Sequence, residues 1–285
     1  MMKLFTAVDT PQPDAQLSLK DKVMVLGSCF ADEIGTKMKA AGFDVMVNPF
    51  GTVYNPISIK NAIDRLDSGK PFTEEDCVPM GANAGLICSW YHHTSFAKAT
   101  AEEFLQGANA ALTTASAHWH SCNKVVLTLG TAMVWQLNSN SQYGQKNTIV
   151  SNCLKRPASE FDHRMLSLEE CSNTLNDIVN SHPDKEFIFT VSPIRHLGEG
   201  AHLNTLSKST LQLSTADKNY FPAYEILLDE LRDYRFYAED LVHPGKIAVD
   251  IIWDRFLQAL VPESEHETIK ANERASRRSA HRPIH

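Results

Sequence analysis

The feature that most limits how this chain can fold is short. The apolar run Val23-Met24-Val25-Leu26 leads directly into Gly27-Ser28-Cys29-Phe30-Ala31 and then into an amphipathic stretch. A continuous apolar run ahead of a glycine reads as a buried parallel strand, and Phe30, Ile34, Met38 and Ala41 recur at near-helical spacing as a stripe that can lie on a sheet. Gly42 suits the end of that helix. A strand that turns straight into a helix gathers backbone N–H groups and the positive end of the helix dipole at the turn, so a thiolate or oxyanion formed there is stabilised in advance. Ser28 and Cys29 are therefore candidate nucleophiles. Far downstream, Asp240-Leu241-Val242-His243-Pro244 offers a carboxylate and an imidazole just ahead of another apolar helical stretch, enough for a nucleophile, a base and an orienting group.

The rest of the chain repeats the strand-then-helix rhythm, which predicts an α/β protein with a mainly parallel sheet covered on both faces. Strands are expected at 23–26, 43–47, 124–129 and 186–191, with a weaker fifth near 234–237, and helices at 30–41, 57–66, 100–118, 168–181 and 247–260. Residues 68–98 and 138–163 break the rhythm and are expected to be inserted loops. One domain is expected over residues 1–262, followed at 263–285 by a solvated or disordered tail of mixed charge without apolar periodicity.

Composition narrows the function classes. A net charge of −7 over 285 residues argues against nucleic acid or an anionic membrane as the main partner. The first residues lack a signal-peptide core and no window is apolar enough for a membrane span, so the expected compartment is the cytoplasm. Cys29, Cys77, Cys88, Cys122, Cys153 and Cys171 sit at long, irregular spacings and are expected to remain thiols, most of them packed as small hydrophobes. Adjacent His92 and His93 would face opposite sides of a strand and lack companion ligands at metal-binding spacing, so a metal is not expected there; no organic cofactor is implied either.

In an open parallel sheet, ligands gather at the carboxyl ends of the strands. Those ends carry Gly27-Ser28-Cys29, Asn48-Pro49-Phe50-Gly51, Gly130-Thr131-Ala132 and Ser192-Pro193-Ile194-Arg195-His196. Arg195 and His196 could hold an anionic or polyol part of a substrate, and an ordinary salt bridge is an equal reading for Arg195. Trp90, Tyr91 and Trp135 suit either a sugar platform or the core. Ser28 is also a preferred helix-capping residue, and Cys29 also reads as a packed thiol.

These residues resemble the GSCFA family, named for the motif at Gly27-Ser28-Cys29-Phe30-Ala31 and usually placed in the SGNH (GDSL-like) hydrolase superfamily. The resemblance extends through Asn48–Pro56, Leu129–Ala132, Thr190–His196, Tyr220–Ile226, Tyr234–Tyr237 and Asp240–Pro244. It implies a three-layer α/β/α fold with a flavodoxin-like, SGNH-hydrolase-like sheet. It also implies an esterase or acyltransferase acting on a small O-acyl group, on a small-molecule or glycan ester. SGNH-type enzymes carry Gly-x-Ser after the first strand, a glycine after the second, Gly-x-Asn after the third and Asp-x-x-His near the end. On this chain the first element reads Gly27-Ser28-Cys29, which puts Cys29 where the serine is expected; the third ends in Ala132, which has no side-chain donor. Gly51 is then the candidate second oxyanion donor, with Asn48, Asn55, Gly130 and Thr131 as possible helpers, and Asp240 and His243 match fully. The missing asparagine and the Gly-Ser-Cys order also leave open a non-catalytic ligand-binding module on the same fold. The oligomeric state is not legible.

Overall fold

The computed structural model describes residues 6–10, 14–81 and 85–280. The N-terminal five residues, on which the signal-peptide expectation partly falls, and residues 281–285 of the expected tail lie outside the described residues. Along the chain run β1 (Lys22–Gly27), α1 (Cys29–Ala41), β2 (Asp44–Val47), α2 (Pro56–Ser68), β3 (Val78–Pro79), β4 (Ile87–Cys88), α3 (Ala101–Ser121), β5 (Lys124–Leu129) and β6 (Met133–Leu137). These are followed by β7 (Ile149–Val150), β8 (Phe161–Met165), α4 (Leu168–Ser181), β9 (Glu186–Val191), α5 (Ala201–Ser214), α6 (Ala223–Glu225), α7 (Lys246–Leu260) and α8 (Glu263–Ala280).

Four strands pair in parallel in the order β2-β1-β5-β9. Every residue of β5 is buried, as expected of a central strand covered on both faces. Alternation along the strands sorts the core into two halves. Met24, Leu26, Val125, Leu127 and Phe189 join a cluster with Ile59 and Ile63 of α2, Phe104 and Leu112 of α3, Leu175 of α4 and Leu211 of α5. Val23, Val25, Val126 and Ile188 join Phe30, Ile34 and Met38 of α1 and Ile252 and Phe256 of α7 on the opposite face. The result is the predicted three-layer α/β/α architecture with a flavodoxin-like strand order, whose switch point lies between β1 and β5. Among the described residues, no helix is long and apolar enough to cross a membrane.

Three expectations are corrected. The fifth strand near 234–237 is a single 3-10 turn at Tyr234–Phe236, and only Tyr237 makes an isolated bridge, to Pro244. The segment 138–163 is not wholly a loop: β7 and the start of β8 flank β6 in an antiparallel three-stranded sheet, and the other insertion contains the small β3–β4 ladder. The tail expected to be solvated or disordered is helix α8 as far as residue 280, docked on α1 and, through Trp253, tied to α7. Its hold is chiefly polar: Ser18 Oγ and Leu19 N donate to Glu265 at 2.6 and 2.7 Å, Asn272 Nδ2 donates to Ala41 O at 2.8 Å, and Trp253 Nε1 donates to Glu273 at 2.7 Å. Ile269 is its one fully buried apolar anchor. Ile269→Ala should lower the unfolding free energy by about 2 kcal/mol, the low end of core truncations because a surface helix can settle into the gap. Urea unfolding reads this, and an unchanged midpoint would show that α8 does not contribute to the cooperative unit.

Candidate active site

The carboxyl end of β1 is built for a close turn. Gly27 has φ of +143°, and a Cβ there would come within 2.1 Å of Thr128 O on β5, so only glycine allows the two strands to approach as they do. Ser28 follows as the N-cap of α1: its Oγ accepts from Phe30 N at 3.3 Å, lies 3.4 Å from Thr128 Oγ1, and is wholly buried. Cys29 is the first residue inside the helix and lines a cavity of about 330 Å³, the size of a small-ligand site. His243 lines the same cavity, and Ser28 does not. Among the described residues no hydrogen bond joins Cys29 Sγ to the His243 ring; the sulfur's polar neighbour is Tyr54 Oη, 3.5 Å away. Burial pushes the Tyr54 phenol up to about 12, so it remains a proton donor at neutral pH, and it is also bonded to Thr52 Oγ1 at 3.1 Å.

Asp240 and His243 form a compact turn. One carboxylate oxygen accepts from the backbone N–H groups of Val242 (2.9 Å) and His243 (3.0 Å), while the other meets His243 Nδ1 at 2.6 Å. These bonds to the charged form hold the Asp240 carboxyl down at about 2. The turn requires Leu241 at φ +57° and is tied down by Arg195, whose N donates to Val242 O at 3.1 Å and whose Nη1 donates to Leu241 O at 3.0 Å. Arg195 lines the cavity, yet its guanidinium is engaged in bracing the Asp240–His243 turn. His196 lines the cavity too, its ring edge-on to Tyr54 at 5.7 Å.

The expected oxyanion helpers are placed differently. The Gly51 N–H is spent on Asn48 O at 2.8 Å, and a Cβ at Gly51 would meet His93 Cβ at 2.3 Å, so this glycine serves a tight turn outside the cavity lining. Asn48 also sits outside it, accepting from Gly27 N at 2.8 Å and donating to Asp32 at 2.8 Å. Asn55 lines the cavity, but its side chain caps α2 through Ser58 N and Ser58 Oγ. Gly130 N and Thr131 N both donate to Tyr54 O, at 2.8 and 3.0 Å. Thr131 remains in the lining, its hydroxyl 2.9 Å from Ser207 Oγ and accepting from Met133 N at 3.0 Å.

Two groups were missed from sequence. Tyr54 lies within the Asn48–Pro56 motif, immediately ahead of the α2 cap, and that position was its only signal. Lys208 on α5 is 1% exposed and donates from Nζ to Gly130 O at 2.5 Å and Ser192 O at 2.8 Å, linking the ends of β5 and β9 just behind the cavity. All six cysteines are free. Burial pushes Cys88 and Cys122 up to about 11 and Cys153 and Cys171 up to about 12, which keeps these thiols protonated and inert. His92 is buried among aromatic rings and bonded to Ser89 at 2.7 Å, and burial holds it near 3, that is, neutral.

At the carboxyl end of the four-stranded parallel sheet, one cavity is lined by Cys29 and by the His243 imidazole that Asp240 holds. The chain belongs to the GSCFA family, whose profile matches residues 22–256. Among curated proteins, none matches. Among solved structures, the chain is similar to the psychrotrophic esterase EstA from Pseudoalteromonas sp., crystallised in a form inhibited by monoethylphosphonate. The identity is 13%, the match covers 84% of this chain and 96% of that one, and the TM-score is 0.38.

Proposed function

We propose that the protein is an esterase or acyltransferase for a small O-acyl group, with Cys29 as nucleophile, His243 as general base and acid, and Asp240 as its orienting carboxylate. The observation that carries this is that Cys29 and the Asp240-bound His243 share one cavity, whereas Ser28 is a buried helix cap. Asp240 fixes the tautomer with the proton on Nδ1, which leaves Nε2 to accept the thiol proton. The thiolate attacks the ester carbonyl, and the tetrahedral oxyanion is met by the Cys29 N–H, which has no intrahelical acceptor at this first helical position, and by the Tyr54 hydroxyl. Collapse breaks the C–O bond, and His243 returns the proton to the leaving alkoxide. Water or a second alcohol, deprotonated by His243, then attacks the thioester and releases the thiolate. The lack of a direct bond between the sulfur and the imidazole favours a second reading, a non-catalytic binding module. Among short-chain p-nitrophenyl esters, finding none turned over would select it.

Asp240 supplies a further check. Its carboxyl is depressed, so its charged form is favoured by folding and is lost only as pH falls through about 2. The pH profile of kcat/KM should therefore lack a carboxylate limb between pH 4 and 5. Asp240→Asn should lower kcat by about 10² or more, because the amide favours the wrong tautomer of His243. A limb in that range, or an asparagine variant with full turnover, would contradict the assignment.

A further inference from the structure

The Asp240–His243 turn is bordered by a second hollow, of about 300 Å³, lined by Arg195, Leu228, Arg232, Asp233, Tyr234 and Tyr237. Tyr237 flanks the turn through its bridge to Pro244, and Arg195 lines both this hollow and the Cys29 cavity. On the Arg195 guanidinium, Nη1 alone has an acceptor among the described residues, Leu241 O at 3.0 Å. Its Nε and Nη2 have none, and neither is a buried atom, so both are open to water and to whatever enters the hollow. The guanidinium stands 5.7 Å from the centre of the Tyr237 ring. Bracing the turn therefore uses one corner of this side chain and leaves donors over.

Charge selects the ligand. The Arg232 side chain is 72% exposed, and its pair with Asp229 at 3.4 Å is a surface contact worth little, so the guanidinium can turn to a ligand at small cost. Asp233 is the one carboxylate among the described lining residues. It already accepts from Arg235 N at 2.8 Å and has the Arg235 guanidinium 3.6 Å away. Two guanidinia thus face one carboxylate that has a cation of its own, within a chain of net charge −7. The Tyr234 and Tyr237 rings lie 6.0 Å apart, and burial pushes the Tyr237 phenol above its ordinary value, so it keeps its proton and can donate. Guanidinium N–H groups beside phenolic hydroxyls suit a carboxylate or phosphate, which takes charge-assisted hydrogen bonds from both. A cation would be repelled by both arginines, and a neutral ligand would gain no such bond.

The position of the hollow assigns the end of the ester. His243 must stand beside the leaving oxygen to return its proton, so the alcohol side of the substrate lies toward the Asp240–His243 turn and the hollow that borders it. We propose that this hollow is a subsite for an oxyanion group, a carboxylate or a phosphate, carried on the alcohol portion of the substrate. The inference rests on the acyl-transfer reading for the direction of the ester, whereas the anion site itself stands on Arg195 and Arg232. The test uses the full chain and the acetates of glycerol, lactate and glycerol phosphate, with p-nitrophenyl acetate as the reference. Lactate and glycerol phosphate are titrated calorimetrically into Cys29→Ala as probes independent of turnover.

At least one charged ester should exceed glycerol acetate in kcat/KM by about tenfold, an advantage that shrinks as salt is added, and the matching anion should bind Cys29→Ala at millimolar concentration. Preference for the lactate ester identifies a carboxylate, and preference for the glycerol phosphate ester identifies a phosphate. Arg232→Glu, on an exposed side chain, should lower the ratio of charged-ester to glycerol-acetate kcat/KM by about fivefold and weaken anion binding. Arg195→Gln should lower the same ratio further, beyond any loss shared by both esters. Cys29-dependent turnover of p-nitrophenyl acetate without a charged-ester preference, or with one that Arg232→Glu leaves intact, would overturn the subsite and leave the acyl chemistry standing. Anion binding that Arg232→Glu weakens, with no ester turned over, would keep the anion site and remove the chemistry. Failure of both anions to bind Cys29→Ala would overturn the site.

Discussion

Turnover of a short-chain aryl ester should fall by about 10³-fold or more in Cys29→Ala, while Ser28→Ala retains turnover and loses only about 1 kcal/mol of stability. The two residues are neighbours in sequence and both could serve as nucleophiles, so the contrast isolates position from chemistry. Ser28 Oγ is buried and caps α1 by accepting from Phe30 N, which makes it a folding residue in this geometry. Cys29 begins the helix one residue later, lines the cavity with His243, and has Tyr54 Oη 3.5 Å from its sulfur. Removing a covalent nucleophile leaves only binding and oxyanion stabilisation, which accounts for a residual rate above that of water. Full turnover in Cys29→Ala together with loss in Ser28→Ala would reverse the assignment.

Lys208→Met should be the most destabilising exchange at the back of the site, by about 2–6 kcal/mol, because it strands two buried carbonyls at about 1–3 kcal/mol each while filling nearly the same volume. Those carbonyls belong to Gly130 and Ser192, the residues from which Thr131 and the Arg195–His196 loop depart into the cavity. Complete burial pushes the Lys208 ammonium down to about 7. A neutral amine still carries two N–H groups, as many as the carbonyls it serves. The folded value lies below that of the unfolded chain, so between about pH 7 and pH 10 the unfolded state holds more protons and this residue's contribution to stability grows with pH, by at most about 1.4 kcal/mol per pH unit; it is lost as pH falls through 7. The difference in unfolding free energy between wild type and Lys208→Met should therefore widen on going from pH 6 to pH 9. A difference that stays flat over this range would show that Lys208 remains charged in the fold, held by its two carbonyls.

What could be read from the chain depended on how local each cause is. β1, β5 and β9 and the helices α1 to α4 and α7 carry their burial pattern in their own residues, so apolar runs and stripes placed them. α5 reverses that pattern. It buries Ser207, Lys208 and Leu211 and leaves Leu203, Leu206 and Leu213 exposed, because the strand ends beneath it need polar partners, and an inverted stripe gives no amphipathic signal. α8 has a single buried isoleucine and is held by Glu265, Asn272 and Glu273, contacts whose partners lie far away in sequence. The aromatic run Tyr234–Tyr237 resembled a strand from its residue types alone, yet it turns the chain toward Asp240.

Within the site, the Gly27–Ala31 turn and the Asp240–His243 turn were legible because each is one local structure, whereas their meeting in one cavity is a consequence of the whole sheet. Gly51 and Asn48 looked like oxyanion donors because glycine and asparagine after a strand suit either a turn or a site, and here the turn takes their hydrogen-bonding groups. Trp135 owes its place in the cavity lining to the small sheet, whose strands β7 and β8 are too short or too polar to register as strands. Trp90, by contrast, packs edge-on against Phe161 in the core.

Peptide mapping by mass spectrometry after reaction with an activated short-chain ester, quenched in acid before the acyl-enzyme decays, tests the central claim most directly. A single acyl adduct on Cys29 is expected, formed in the wild type, absent from Cys29→Ala and slowed in His243→Ala. An adduct on Ser28, or on another thiol such as Cys77, or no adduct from an enzyme that nonetheless turns the ester over, would contradict it.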